Sequence, residues 1–267
     1  MKIQYQNDYC AVFESALYRT TSTIIQLEDI VLLVDPNWLV LEIGYIDAFL
    51  HNHIGDRKLY LLFTHSDYDH IIGWKAFGDS TAIASEAFVN NPEKESILKQ
   101  IREFDHNFYI RRSYETAYPE IDIVISGNPE SLHLGRNSLQ FHQTPGHNRD
   151  GIFTVIPELR LWVAGDYLSN IEIPMIDYSI NDYAHTLRTA EKIIQSGEVT
   201  LLIPGHGDIA TDRQEMERRL QNDMQYLQML SEGADQEKVK RFIHKNYTDN
   251  PAMMAIHADN MKKTADM

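Results

Sequence analysis

Residues 64–73 read Thr-His-Ser-Asp-Tyr-Asp-His-Ile-Ile-Gly, placing His65, Asp67, Asp69 and His70 within six positions directly after an apolar run. Imidazole nitrogens and carboxylate oxygens are the protein ligands that suit zinc, iron and manganese. Turning all four inward at a strand end is costly unless a cation compensates; the plain alternative is a polar, solvated loop. Three further segments each carry one such residue beside glycine: Thr144-Pro145-Gly146-His147, Ala164-Gly165-Asp166 and Pro204-Gly205-His206-Gly207. Each follows a short apolar run, and glycine lets the backbone approach a bound group closely. Four strand-end segments bearing His or Asp are what a binuclear metal centre requires.

The set and its order resemble the metallo-β-lactamase superfamily, whose members carry an H-x-H-x-D-H loop, then T-P-G-H, G-D and a late P-G-H segment. The resemblance covers about residues 20–210 and rests on the four parts together. It implies an α/β fold, an αββα sandwich of two mixed β-sheets with outer helices, with the metals in a groove at one edge. Carried over by position, it implies that His65, Asp67 and His147 hold one divalent metal and Asp69, His70 and His206 a second, with Asp166 bridging. It further implies a hydroxide held between the metals as nucleophile, with Asp69 as the catalytic residue that orients it or passes on its proton. Bound cations lower a water's pKa toward about 7 and polarise a carbonyl or phosphoryl oxygen.

One position departs from the pattern: the family's second His is Asp67 here. A carboxylate is a harder, charged ligand, which shifts the first site from zinc toward iron or manganese and makes its water less acidic. A Glu replacement of this kind marks the di-iron flavoprotein branch, whose flavin domain has no room after residue 210. Two zinc ions remain the first expectation, with iron or manganese as the alternatives.

The elements that must position these residues are legible as two series. Strands are predicted over 22–27, 30–35, 58–63, 81–84 and 121–125, then over 138–143, 152–156, 160–164 and 200–203. Helices are predicted over 44–52, 71–77 and 92–104, around Tyr183, Leu187, Ala190 and Ile194 up to a Gly197 cap, and from residue 212 onward. Two strand series with flanking helices suggest packed sheets with helices outside. Residues 1–210 are read as the sandwich, with an aromatic-rich insertion over about 105–130. Residues 211–267 are read as a helical extension packed on it, its Met216, Met224 and Met229 facing the sandwich.

Around the cluster, Trp38 and Tyr68 are candidate substrate contacts, Trp38 because it opens the loop after Pro36. His142 and His185 are two further candidate substrate contacts, each with a surface or supporting role as the alternative. Arg111, Arg112 and Arg149 are set between binding a substrate anion and ordinary surface or pairing roles, and the aromatics Phe108, Tyr109, Tyr114 and Tyr118 are expected to pack the insertion down, with lining an apolar pocket as the alternative. Cys10 is read as a small core residue.

Composition bounds the rest. The chain has 267 residues, and 24 Lys+Arg against 39 Asp+Glu give a formal net charge of −15, which argues against non-specific binding to nucleic acid or anionic membranes. One cysteine excludes an internal disulfide framework, and no apolar run approaches the roughly 20 residues of a membrane span. With no signal-peptide pattern, the expected location is cytoplasmic and the expected partner a small-molecule substrate. The leading expectation is a metallo-hydrolase of an ester, thioester, lactone or phosphodiester. The alternatives are a non-haem iron redox protein and a non-catalytic metal-binding module.

Overall fold

The computed structural model describes residues 1–265. Seven strands form the first sheet in chain order: β1 (Lys2–Gln6), β2 (Cys10–Glu14), β3 (Thr21–Gln26), β4 (Ile30–Val34), β5 (Lys58–Leu62), β6 (Thr81–Ser85) and β7 (Ile123–Ile125). β1 to β4 pair antiparallel and β4 to β7 parallel. Helices α1 (Val40–His53), α2 (Tyr68–Ile71), α3 (Glu86–Val89) and α4 (Lys94–Asn107) lie between the parallel strands. The second sheet has β8 (Glu130–Leu134), β9 (Asn137–Gln143), β10 (Ile152–Ile156), β11 (Leu161–Gly165) and β12 (Leu201–Pro204), again in chain order. Its one parallel pair, β11 with β12, is joined through α5 (Ile180–Ser196). The C-terminal part adds α6 (Arg213–Ser231), α7 (Gln236–Asn246) and α8 (Pro251–Ala265).

The four-layer order follows from which strand faces are apolar. β4 reads Ile-Val-Leu-Leu-Val and is buried throughout, as a strand covered on both faces must be. Leu32 and Val34 share one buried cluster with Phe141, Ile152 and Val163 of the other sheet, while Val31 and Leu33 share another with Ile43 and Ile46 of α1 and Ile101 of α4. On the far side, Phe153, Trp162 and Leu202 pack against Leu187 and Ile194 of α5, in one cluster with Met216, Ile243 and Met253 of the C-terminal helices. This is the expected αββα sandwich of two mixed sheets with helices outside.

Differences from the sequence reading have local causes. β1 and β2 went unmarked because β1 mixes polar and apolar side chains at a half-exposed edge and β2 contains Cys10 and Ala11. β8 is likewise a half-exposed edge strand. The helix predicted over 71–77 is the four-residue α2 followed by a single 3₁₀ turn, Trp74–Ala76. Between them the Gly73 amide donates to the Pro36 carbonyl (2.9 Å), so the loop turns down onto the end of β4. Helix α1 begins at Val40, four residues before the predicted start, and Gly197 ends α5 at φ +70° as predicted. No helix among the described residues is long and apolar enough to cross a membrane.

Candidate metal centre

Strand ends from both sheets meet at one edge of the sandwich. β5 runs into Thr64 and His65, and α2 with its preceding residue carries Asp67, Asp69 and His70. From the second sheet, His147 follows β9, Asp166 follows β11 and His206 follows β12. The Ile152 amide donates to the Thr64 carbonyl (2.8 Å) and the Thr21 amide to the Gly205 carbonyl (2.7 Å), stitching the two edges together.

All four imidazoles have Nδ1 engaged away from the cluster. His70 Nδ1 donates to Asp35 Oδ2 (2.9 Å), His147 Nδ1 to the Met175 carbonyl (2.9 Å) and His206 Nδ1 to the Tyr18 carbonyl (3.0 Å). His65 Nδ1 lies 2.9 Å from Thr64 Oγ1, whose own proton goes to Asp35 Oδ2 at 2.6 Å, so the imidazole is the donor there. The four Nε2 atoms therefore converge inward and are the atoms that a cation would take in place of protons, as second-sphere hydrogen bonds arrange in metal sites.

The interatomic spacings form two similar halves around Asp166. In one, Asp67 Oδ2 lies 3.0 Å from His147 Nε2 and 3.6 Å from His65 Nε2; Asp166 Oδ2 is 3.4 Å and 3.5 Å from the same two atoms. In the other, Asp69 Oδ2 lies 3.6 Å from His70 Nε2 and 3.5 Å from His206 Nε2, and these two nitrogens are 3.3 Å apart. Asp166 reaches this half too, with Oδ1 3.2 Å from His70 Nε2 and Oδ2 3.2 Å from His206 Nε2. A tetrahedron with metal–ligand bonds of about 2.0–2.1 Å has edges of about 3.3 Å, so these residues fit a pair of cations. Two buried atoms, His65 Nε2 and Asp166 Oδ1, lack a partner in hydrogen-bonding geometry and both face the cluster. A buried nitrogen and a buried oxygen left unsatisfied in one cluster are expensive unless an ion takes them.

Without an ion, protons hold the cluster together. Burial and the neighbouring His70 press the His65 pKa down, yet Asp166 and Asp67 outweigh them and hold it at about 10. Against burial, Asp166 and Asp69 keep His70 well above the ordinary imidazole range, Asp166 and Glu172 do the same for His206, and Asp67 raises His147. The carboxyls answer in kind. Burial opposes their charge, but His147 and His65 hold Asp67 well below the usual range, and His206, His70 and His65 do so for Asp166.

Of the four candidate substrate contacts, only Tyr68 faces the cavity beside the cluster. Trp38 is a correction: it is fully buried, and its Nε1 donates to Thr20 Oγ1 (2.8 Å), which in turn donates to Asp69 Oδ2 (3.2 Å). It supports Asp69 from behind instead of meeting a substrate. His142 points from β9 away from the inter-sheet core and outside the cavity, and His185 is exposed on α5 beside Arg188. Arg112 is buried in a two-pronged pair with Asp105 (2.8 and 2.9 Å) and donates to the Trp38 carbonyl, so it clamps the insertion. Arg149 stacks over Tyr178 at 5.0 Å, while Asp150 accepts from the Ser66 amide and Asn91. Tyr114 and Tyr118 pack against the sandwich as expected, whereas Phe108 and Tyr109 are a correction: they are 65% and 93% exposed and do not pack the insertion down.

Sequence reading missed Asp35, Thr20, Glu172 and Asn260. Asp35 carried a signal: it ends a buried strand just before Pro36, next to the strand that delivers His65. Asn260 carried none. From α8 it donates to the Pro174 carbonyl (2.6 Å) and accepts from the Ile176 amide (2.9 Å), gripping both sides of Met175, whose carbonyl orients His147. Asn260→Ala is expected to lower stability by about 2–4 kcal/mol and metal affinity by roughly 10–100-fold. Denaturant unfolding and competition with a chelator measure the two effects.

Gly205 is fixed by crowding. A Cβ there would overlap Asp166 Oδ1 and come within 2.9 Å of His70 Cε1. Gly205→Ala is therefore expected to displace the Asp166 carboxylate and reduce bound metal by at least one ion per chain, as read by elemental analysis.

A cavity of about 350 Å³ opens over the cluster. Its walls include Glu172, Ile173 and Met175 from the segment before α5, and Ala252, Met253 and Ile256 from α8. Asp223 also lines it; burial pushes that carboxyl up to about 7, against hydrogen bonds from Tyr247 and the Leu168 amide.

Comparison with known proteins agrees with this arrangement. A sequence model of the metallo-beta-lactamase superfamily matches residues 17–206. Among solved structures, the stereoselective inverting sec-alkylsulfatase from a Pseudomonas species superposes with a TM-score of 0.66 at 14% identity, over 92% of this chain and 45% of its own. The present chain thus spans less than half of that enzyme. A metallo-beta-lactamase from Pontibacter korlensis gives 0.59 at 11% identity, over 84% of this chain and 98% of its own. An archaeal metallo-beta-lactamase superfamily protein from Sulfolobus tokodaii gives 0.59 at 17% identity, over 98% of this chain and 100% of its own. No curated protein matches the chain significantly. With the strand-end cluster, the sandwich and the family match in agreement, the chain belongs to the metallo-beta-lactamase superfamily.

Proposed function

We propose that this protein is a metal-dependent hydrolase that cleaves an ester, thioester, lactone or phosphodiester of a small molecule. The reading rests above all on four Nε2 atoms and three carboxylates meeting at cation-binding distances beneath an open cavity. His65, Asp67 and His147 would hold one divalent ion, Asp69, His70 and His206 the other, and Asp166 would serve both. When bound, such ions supply a water nucleophile near neutral pH and polarise the substrate's reacting oxygen. The chain's own residues do the rest. Asp35 and Thr64 fix two imidazoles in the tautomer that presents Nε2. Asp69, held by the Thr20 hydroxyl, is positioned to orient the nucleophile or take its proton.

Asp67 favours a second reading. Each half of the cluster offers two imidazoles and one carboxylate besides Asp166, a donor set shared with non-haem iron sites. Stoichiometric iron with a visible absorption band after expression without added metal would support redox chemistry; colourless protein holding zinc or manganese supports hydrolysis. For the hydrolase reading, His147→Ala is expected to lose metal and turnover together. Full activity of that variant after metal stripping would refute it.

A further inference from the structure

Resting on the hydrolase reading, we propose that the substrate is uncharged and carries an apolar acyl or alkyl chain, which lies against the wall built by α8 and the 173–175 segment. The acidic content of the cavity argues for the first half. Among the described residues no Lys or Arg lines it, while Glu172 does, in addition to the cluster carboxylates. Of the other acidic groups in the lining, Asp177 is paired with Lys263 and Asp223 is buried against Tyr247 and the Leu168 amide. Two divalent cations would bring four positive charges, and Asp67, Asp69 and Asp166 would return three. The single charge left is shared by the nucleophile and the substrate's reacting oxygen. A sulfate, phosphate or carboxylate elsewhere on the substrate would face Glu172 with no cation to receive it, and like charges in contact cost several-fold to several-hundredfold in binding.

The apolar half of the cavity argues for the second part. Ile173 and Met175 lie on one side, Met253 and Ile256 on the other, with Leu168 behind. Two unbranched methionines make an adaptable wall that accepts chains of different shape. Because α8 supplies part of this wall, the C-terminal helices are assigned a share in substrate choice as well as in packing.

The test compares p-nitrophenyl acetate, butyrate and hexanoate with p-nitrophenyl phosphate and sulfate, all on the metal-replete protein. The neutral esters are expected to be preferred by about a hundredfold in kcat/KM, with a gain of about fourfold per methylene until the cavity fills. Ile256→Ala, at a half-buried position, should flatten the gain with chain length, and Ile256→Lys should shift preference toward phosphate by about tenfold. Calorimetry on metal-free protein gives a readout independent of turnover: hexanamide is expected to bind more tightly than acetamide, by about fourfold per methylene, and Ile256→Ala to shrink that gain. Preference for the phosphate or sulfate ester, or a chain-length response untouched by Ile256→Ala, would overturn the inference and leave the hydrolase reading standing. Silence toward every ester with both ions bound would overturn the hydrolase reading and this inference with it.

Discussion

Asp166→Ala is expected to reduce bound metal from two ions to one or none and to lower kcat/KM roughly ten-thousandfold. Among the described residues Asp166 is the one side chain within 3.5 Å of all four Nε2 atoms, so neither half of the cluster keeps its donor set without it. Removal also leaves four buried imidazoles with less negative charge among them. Each would then lose part of what holds its pKa up, since Asp166 supports His65, His70, His147 and His206 alike. Metal analysis and circular dichroism on the same sample separate site loss from unfolding. A variant that keeps two ions and full turnover would contradict the bridging role. Asp166→Asn, which preserves shape but not charge, is expected to retain the fold and still lose at least one ion.

The second large effect is on pH. In the metal-free protein the four histidines hold their protons above the ordinary range, His65 to about 10, and a cation must displace those protons to bind. Metal affinity is therefore expected to climb as pH rises through neutrality, by about a hundredfold per pH unit for each ion that displaces two protons. Competition with a chelator at pH 6, 7 and 8, together with measured proton release, tests this; affinity independent of pH would contradict it. The metal-free fold has the complementary window. Raised imidazoles contribute stability that is complete below their unfolded pKa, about 6.5, and is lost as pH rises through the folded values. The depressed Asp67 and Asp166 contribute stability above their unfolded pKa, about 3.9, and lose it as pH falls through the folded values. Metal-free protein is thus expected to be most stable between these limits, which thermal unfolding against pH would show.

How much of this was legible in sequence depended on what each residue had to do locally. The metal-ligand candidates were visible because each sits at the end of a buried strand, beside a glycine or within one dense loop, and strand ends are read from apolar runs. Asp35 was half visible, since its strand was read but its partner His70 lies 35 positions away. Trp38 was misassigned because a loop position says nothing about which way a side chain turns; Thr20, Tyr68 and Phe104 enclose it. Arg112 looked like a solvated or anion-binding residue because its clamp, Asp105 together with the Trp38 carbonyl, forms only in the fold. Least legible was α8. Its contribution to the cavity, and the Asn260 grip on the segment behind His147, arise from contacts made across 84 to 86 residues.

The claim on which the rest depends is that seven side chains grip two cations. Diffraction from metal-replete crystals at the zinc, iron and manganese edges tests it most directly. Two anomalous peaks about 3.5–4 Å apart are expected, one among His65, Asp67 and His147, the other among Asp69, His70 and His206, with Asp166 reaching both. Replete crystals with no peak at the cluster, or with metal bound only elsewhere, would contradict the account.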